Sequence, residues 1–146
     1  MNDTLSKILV EKGAIVYSVR SDMTVFDAVV EMNEKNIGSV LVLDCHSLSG
    51  IFTERDVLKR VVAKGRDPKT TLVRQVMTSR PIVLSPQTTI DEAMEVIREK
   101  RTRHLPLVEN GRLVGLISIG DIIRWVSRMH QFEADHLRAY IVGSYG

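Results

Sequence analysis

Apolar and polar positions run through the chain in two nearly equal cycles. Val25, Ala28, Val29 and Met32 stand at i, i+3, i+4 and i+7, the stripe of an amphipathic helix, and Ile90, Ala93, Met94 and Ile97 repeat it. Thr24 ahead of Asp27 and Thr89 ahead of Glu92 have the spacing of capping boxes at the two helix starts. Each stripe is followed by a short apolar run bounded by polar residues, Val40–Leu43 and Leu105–Val108, which predicts buried strands. Turns at 44–47 and 109–112 lead into further strands, Leu48–Phe52 and Leu113–Ile117, so each copy contains a hairpin. A second helix then starts at Thr53 or Ser118, and short extended segments, Val16–Val19 and Ile82–Leu84, lead into the copies. The unit reads β-α-β-β-α, twice. Outside the copies the pattern predicts a short N-terminal helix, Thr4–Glu11. It also predicts a C-terminal one, Gln131–Val142, with Phe132, Leu137, Tyr140 and Ile141 on one side. The polar stretch Ala63–Thr71, with Gly65 and Pro68, reads as a connector.

The two copies superpose without a gap: Gly50–Asp56 falls on Gly115–Asp121, an offset of 65 residues. Two copies are too few for a solenoid, and each alone leaves an apolar face exposed. The expected architecture is α/β (α+β), two β-α-β-β-α repeats related by pseudo-twofold symmetry with short terminal helices. The expected boundaries are 8–66, 72–130 and a C-terminal helix or tail at 131–146. At 146 residues the chain is about one domain, so the repeat subdivides that domain. A content of 44% hydrophobic and 26% charged residues excludes a disordered chain. The sequence has no apolar run of the ~18 residues a membrane span needs. Its beginning lacks a basic stretch followed by an apolar one, so no signal peptide is expected. The single cysteine, Cys45, has no partner for an internal disulfide, and a cytoplasmic protein is expected. An excess of two positive charges argues against nucleic acid, even with the basic stretch from Arg55 to Arg74.

Candidate chemistry concentrates in the repeated pattern Gly-φ-φ-Thr/Ser-x-x-Asp (φ apolar), at 50–56 and 115–121. A strand ends, and a hydroxyl, Thr53 or Ser118, stands where a helix begins. The hydroxyl and the first free N–H groups suit phosphate or ribose, and Asp56 or Asp121 has two oxygens to accept ribose hydroxyls. The same residues are also ordinary capping boxes. Arg55 lies in the first turn of its helix, against the helix dipole, which a bound phosphate would explain. Arg103 and His104 close the basic run Arg98–His104 and are assigned to the site, whereas Lys100 and Arg101 read as ordinary cations at a helix C-terminus. His130, Glu133 and His136 do not converge on a metal, since i and i+6 lie on opposite sides of a helix. Cys45 reads as a plain exposed thiol. Trp125 with Ile122 and Val126 reads as packing, and the stripe Val57, Leu58, Val61 and Val62 as core or as an interface with a second copy. Signatures of hydrolases, P-loops, dinucleotide folds and zinc proteases are missing, so no enzymatic activity is expected.

These residues carry a resemblance. The doubled unit, each ending in Gly-φ-φ-Thr/Ser-x-x-Asp, is similar to a tandem pair of CBS domains, the arrangement called a Bateman module, over residues 8 to 130. The segments Asn36–Ser39, Arg103–Pro106 and Val76–Thr78 match it. Thr53–Asp56, Lys64-Gly65 and Ser118–Asp121 resemble more narrowly the small stand-alone bacterial two-CBS proteins. The resemblance implies two clefts for an adenosyl ligand, AMP foremost, or ADP, ATP, NAD(H) or S-adenosylmethionine, with no metal required. One would pair Val16, Tyr17, Ile37 and Gly38 with Ser118, Gly120 and Asp121. The other would pair Thr78, Ile82, Thr102 and Arg103 with Thr53, Arg55 and Asp56. It further implies a homodimer through the CBS helices, a regulated target protein of unknown identity, and no membrane partner. The alternative is a dimeric interaction scaffold without ligand. Leu41 stands where the family often has a proline, which Pro106 keeps. Gly120 gives the second helix start no side chain where the first has Arg55, so phosphate is expected to be held more strongly at the first.

Overall fold

The computed structural model of the chain describes residues 3–13 and 16–145, with side chains through Asp135. In chain order the elements are α1 (Leu5–Lys12), β1 (Ser18–Val19), α2 (Val25–Lys35), β2 (Ser39–Asp44) and β3 (Ser47–Thr53). Then comes α3 (Glu54–Asp56), which runs on as a π-helical stretch, Val57–Val62. The rest are α4 (Val73–Val76), β4 (Thr78–Ser79), α5 (Ile90–Lys100), β5 (His104–Glu109), β6 (Arg112–Ser118) and α6 (Ile119–Tyr145). Contacts divide the chain into two compact units, Ile15–Ile82 and Met1–Ala14 with Val83–Gly146. The units are thus offset from the sequence repeats. Residues 72–82 pack with the first copy, and α1 packs with the second.

In the unit Ile15–Ile82 the strands lie in the order β1-β2-β3-β4. β1 pairs with β2 in parallel, and the other pairs are antiparallel. The hairpin turn places Cys45 and His46 at φ 49° and 67°, the left-handed turn that suits the twist of the strands. α2 begins at Thr24, whose hydroxyl accepts the Asp27 N–H at 3.1 Å, and ends at Asn36 in the left-handed region. Its stripe faces the sheet: Val25, Ala28 and Met32 are buried with Val19, Val40, Val42, Phe52, Val61, Val73 and Val76. Of the second helix's stripe, Val61 is core, while Leu58 and Val62 are 63% and 66% exposed, so core packing does not account for those two.

The other unit holds the hairpin β5–β6, turned at Asn110 and Gly111 (φ 52° and 77°). Both hairpins carry a register shift at equivalent places, Val42/Leu43 and Leu107/Val108. The lead-in segment is reduced to one parallel bridge, Leu84 with Leu107. α5 starts at Thr89, whose hydroxyl accepts the Glu92 N–H at 3.1 Å. α1 completes this core: Leu5 and Ile8 are buried with Ile90, Ala93, Leu105, Leu107, Ile117 and Ile122, and Trp125 and Val126 pack against the cluster. The Leu5 and Ser6 N–H groups donate to Thr88 O and Pro86 O, both at 2.9 Å, which fixes the start of α1 beside the start of α5.

One expectation is corrected. The second helix of the second copy and the C-terminal helix are one element of 27 residues, α6, with no separate helix at 131–142. The junction Arg128–Gln131 holds neither glycine nor proline, so nothing interrupts the hydrogen-bond ladder. Phe132 on this helix is 65% exposed. The side chains of His136, Leu137, Tyr140 and Ile141 lie outside the described residues.

Candidate functional site

At the first motif β3 ends at Thr53, extended at φ −129°, and the chain turns into α3. The capping box is reciprocal. The Thr53 N–H donates to Asp56 Oδ2 at 3.0 Å, and the Asp56 N–H donates to Thr53 Oγ1 at 3.3 Å. The Thr78 hydroxyl, from β4, donates to Asp56 Oδ1 at 3.4 Å. The nearest cation is Arg60, 3.8 Å away, and its Nη1 already donates to Val76 O and Met77 O at 3.2 and 2.8 Å. Asp56 is 5% exposed. Its burial pushes the carboxyl above the usual range, against the opposing pull of the Thr53 N–H, Arg60 and the two hydroxyls. Arg55, on the same turn, is exposed.

Gly50 opens this motif because β4 crosses it closely: a Cβ there would stand 2.5 Å from Thr78 O. Gly38 lies beside the helix start, its carbonyl accepting the Glu54 N–H at 3.0 Å. A Cβ there would come within 3.1 Å of the Glu54 carboxyl. Tyr17 is partly exposed, with the Lys35 ammonium 4.7 Å above its ring. Val16, Ile37 and Ile82 are half-buried.

The second motif has the same frame and a different charge. The Ser118 N–H donates to Asp121 Oδ2 at 2.8 Å, and the Asp121 N–H donates to Ser118 Oγ at 3.1 Å. Two cations then close on the carboxylate. Lys12 Nζ, from α1, donates to Oδ2 at 2.8 Å and to Leu116 O at 2.7 Å. Arg124 Nη2 donates to Oδ1 at 2.7 Å. Burial raises the Asp121 carboxyl, but Lys12 and the Ser118 donors outweigh it and hold it below the usual range. Arg103 and His104 adjoin the motif: the Ile119 N–H donates to Arg103 O at 2.9 Å, and His104 pairs with Ser118 across the hairpin. Thr102 Oγ1 donates to His104 O at 3.1 Å. Gly120 has no side chain, but Lys12 and Arg124 supply two charges.

The sequence residues therefore gather in two groups. Thr53, Arg55, Asp56 and Thr78, with Gly38 beside them, form one, and Thr102, Arg103, His104, Ser118, Gly120 and Asp121 form the other.

The model of the CBS domain matches residues 14–63 and again 73–128. The chain belongs to the CBS-domain family, with the domain in tandem. It is 35% identical over 151 residues to the mitochondrial CBS domain-containing protein CBSX3 of Arabidopsis thaliana, covering 97% of this chain and 73% of that one. It spans only 21% and 20% of two longer Arabidopsis CBS proteins, CBSCBSPB2 and CBSCBSPB3, at 37% identity to each. A solved structure of a protein with CBS domains from Burkholderia ambifaria is 40% identical, with a TM-score of 0.78 over 84% of this chain and 90% of that one. The hexameric CBS-CP12 protein of bloom-forming cyanobacteria is 31% identical, with a TM-score of 0.76 over 84% and 67%.

Against the CBS frame, three charged residues were not anticipated. Arg60 and Arg124 follow their aspartates by four and three positions, a spacing that brings helix neighbours together and was legible in principle. Lys12 precedes both matched stretches and lies 109 residues from Asp121. No local pattern announces it. Among the described residues no group of three or more His, Cys, Asp or Glu could hold a metal, and no helix is long and apolar enough to cross a membrane. Cys45 is exposed in its turn.

Proposed function

We propose that this CBS pair is a non-catalytic regulatory module that binds an adenosyl ligand, AMP foremost or ADP, ATP, NAD(H) or S-adenosylmethionine, and transmits its bound state to a target protein. The observation that carries the reading is Asp56. It is a buried carboxylate whose Oδ2 accepts the Thr53 N–H at 3.0 Å and the Thr53 hydroxyl at 3.3 Å, and whose Oδ1 accepts the Thr78 hydroxyl at 3.4 Å, with Arg60 at 3.8 Å. A carboxylate oxygen with one long hydrogen bond has lone-pair capacity left for a ribose hydroxyl. Thr53, Arg55, Asp56 and Thr78 take the ribose and phosphate at one motif. Ser118, Gly120 and Asp121 serve the other. Signalling follows from linkage: the ligand shifts a partner's affinity only as far as its own affinity differs between two states. Thermal-shift and calorimetric titration with the five ligands tests the reading. A ligand at 100 times its Kd adds about 2.7 kcal/mol of stability, and Asp56→Ala with Asp121→Ala abolishes the gain. No shift with any of them sinks the ligand reading.

A second reading, a ligand-free dimeric scaffold in a cytoplasmic setting, is favoured by the exposed apolar side chains on helices: Leu58, Val62, Ile123 and Phe132. The two readings share a homodimer through the CBS helices. Light scattering on the purified chain separates a dimer from a monomer, and Leu58→Glu with Val62→Glu should dissociate it.

A further inference from the structure

We propose that Lys12 and Arg124 form a phosphate receptor at the second motif, which makes this site selective for a phosphorylated adenosyl ligand over an uncharged one. The proposal rests on the adenosyl-ligand reading above and assigns the ligand class of one of its two sites.

The charge count comes first. Asp121 brings one negative charge and meets two cations within 2.8 Å, Lys12 on Oδ2 and Arg124 on Oδ1. The third member of the group, Ser118, is neutral, so the cluster carries one net positive charge. At the first motif the count is different. Asp56 has only Arg60, at 3.8 Å, and that guanidinium also holds the carbonyls of Val76 and Met77. The first carboxylate therefore presents an acceptor to hydroxyls. The second has both oxygens engaged by cations, of which Arg124 is largely exposed and Lys12 partly so.

Donor capacity points the same way. The Lys12 ammonium has three N–H groups, of which two are directed to Asp121 and Leu116 O. The Arg124 side chain is 68% exposed and directs one donor to Asp121. A guanidinium can hold two phosphate oxygens in its planar fork while an ammonium adds a point charge. The Arg124 guanidinium lies beside Gly120: a Cβ there would stand 3.4 Å from Nη1, an ordinary contact distance. Lys12 is also held in place. Its helix is anchored by Leu5 and Ile8 at 0% and 3% exposure, and Leu9 packs against the bare backbone of Gly115. Neither stretch matched to the CBS domain includes Lys12, so α1 adds to the family frame a residue that selects among its ligands.

The test is calorimetric titration of the full chain with AMP, ADP and adenosine, using Asp56→Ala to silence the first motif. Lys12→Met and Arg124→Gln are each expected to weaken AMP and ADP about tenfold or more, the worth of one charged hydrogen bond. Adenosine affinity should stay within about twofold, and Lys12→Arg should restore AMP binding. Unchanged AMP affinity in both Lys12→Met and Arg124→Gln overturns the proposal, and so does an equal loss for AMP and adenosine. Melting of the unliganded variants establishes that they fold. If Lys12→Met does not, the exposed Arg124→Gln carries the test alone. Wild-type protein that binds neither AMP nor adenosine refutes the adenosyl reading and this proposal together. Binding by wild type that Lys12→Met and Arg124→Gln both leave untouched refutes this proposal alone.

Discussion

Asp56 has its carboxylate out of water with one distant cation, and Asp121 has two cations in hydrogen-bonding contact. The consequences for stability have opposite signs. A carboxyl raised above its ordinary value of 3.8 by burial penalises the folded state once it ionises. That penalty is absent below 3.8 and enters as pH rises through the folded value. A carboxyl held below 3.8 by Lys12 and its neighbours stabilises the folded state above 3.8, and the contribution is lost as pH falls through the depressed value. Asp56→Asn should therefore raise the melting temperature of the unliganded protein at neutral pH, and Asp121→Asn should lower it. Both differences should shrink toward acid in melting curves taken from about pH 3 to 8. A destabilised Asp56→Asn protein at neutral pH would contradict the assignment. The two hairpin turns offer a second comparison. Asn110 and Gly111 suit their positive φ values, whereas Cys45 and His46 occupy the same conformation at 49° and 67° without that tolerance. Replacing Cys45-His46 by Asn-Gly should raise unfolding free energy by about 1 kcal/mol, measured by urea titration.

The elements were largely legible from the residues. The α2 and α5 stripes place Val25, Ala28 and Met32, and Ile90 and Ala93, on buried faces, because a helix that must cover a sheet needs that spacing. Met94 of the α5 stripe is 47% exposed. The hairpins follow from alternating runs around short polar turns. What was not legible depends on contacts remote in sequence, or on the lack of a stop signal. α6 runs on because no residue ends it. The motif glycines show the limit more sharply. Gly50 and Gly115 look equivalent, yet the first is bare because the backbone of Thr78 crosses at 2.5 Å. The second is bare because a Leu9 methyl approaches to 2.3 Å. A methyl side chain ends on a flexible arm and can move, whereas a carbonyl in a paired strand cannot. Gly50→Ala should cost about 1–3 kcal/mol and loosen the Thr78–Asp56 contact. Gly115→Ala should cost less. Equal losses in chemical denaturation would mean that α1 is as fixed as a β-strand.

At the scale of the whole chain, the doubled motif revealed the tandem architecture, but the site is less symmetric than the sequence. Thr53 with Asp56 and Ser118 with Asp121 were readable as pairs because a capping box is local. Lys12 was not, since its contact with Asp121 spans 109 residues and exists only once α1 has packed. That packing is itself testable. Leu5 is fully buried against Ile90, Leu105 and Ile117, so Leu5→Ala should cost about 2–5 kcal/mol. Hydrogen exchange should show the loss of protection concentrated in α5, β5 and β6 and not in β2 and β3. Uniform loss would indicate that the two units unfold as one.

The placement of α1 also sets an order of events during synthesis. The segment Ile15–Ile82 is continuous and can collapse as soon as it clears the ribosome. α1 emerges before it but belongs to a unit whose remaining residues begin at Val83. At ~5–20 residues per second the α1 segment waits roughly 6–23 s until the last of its core partners, Ile122, is made. Through that interval Leu5, Ile8 and Leu9 lie open on the growing chain, available to a chaperone or to a neighbouring polypeptide on the same messenger.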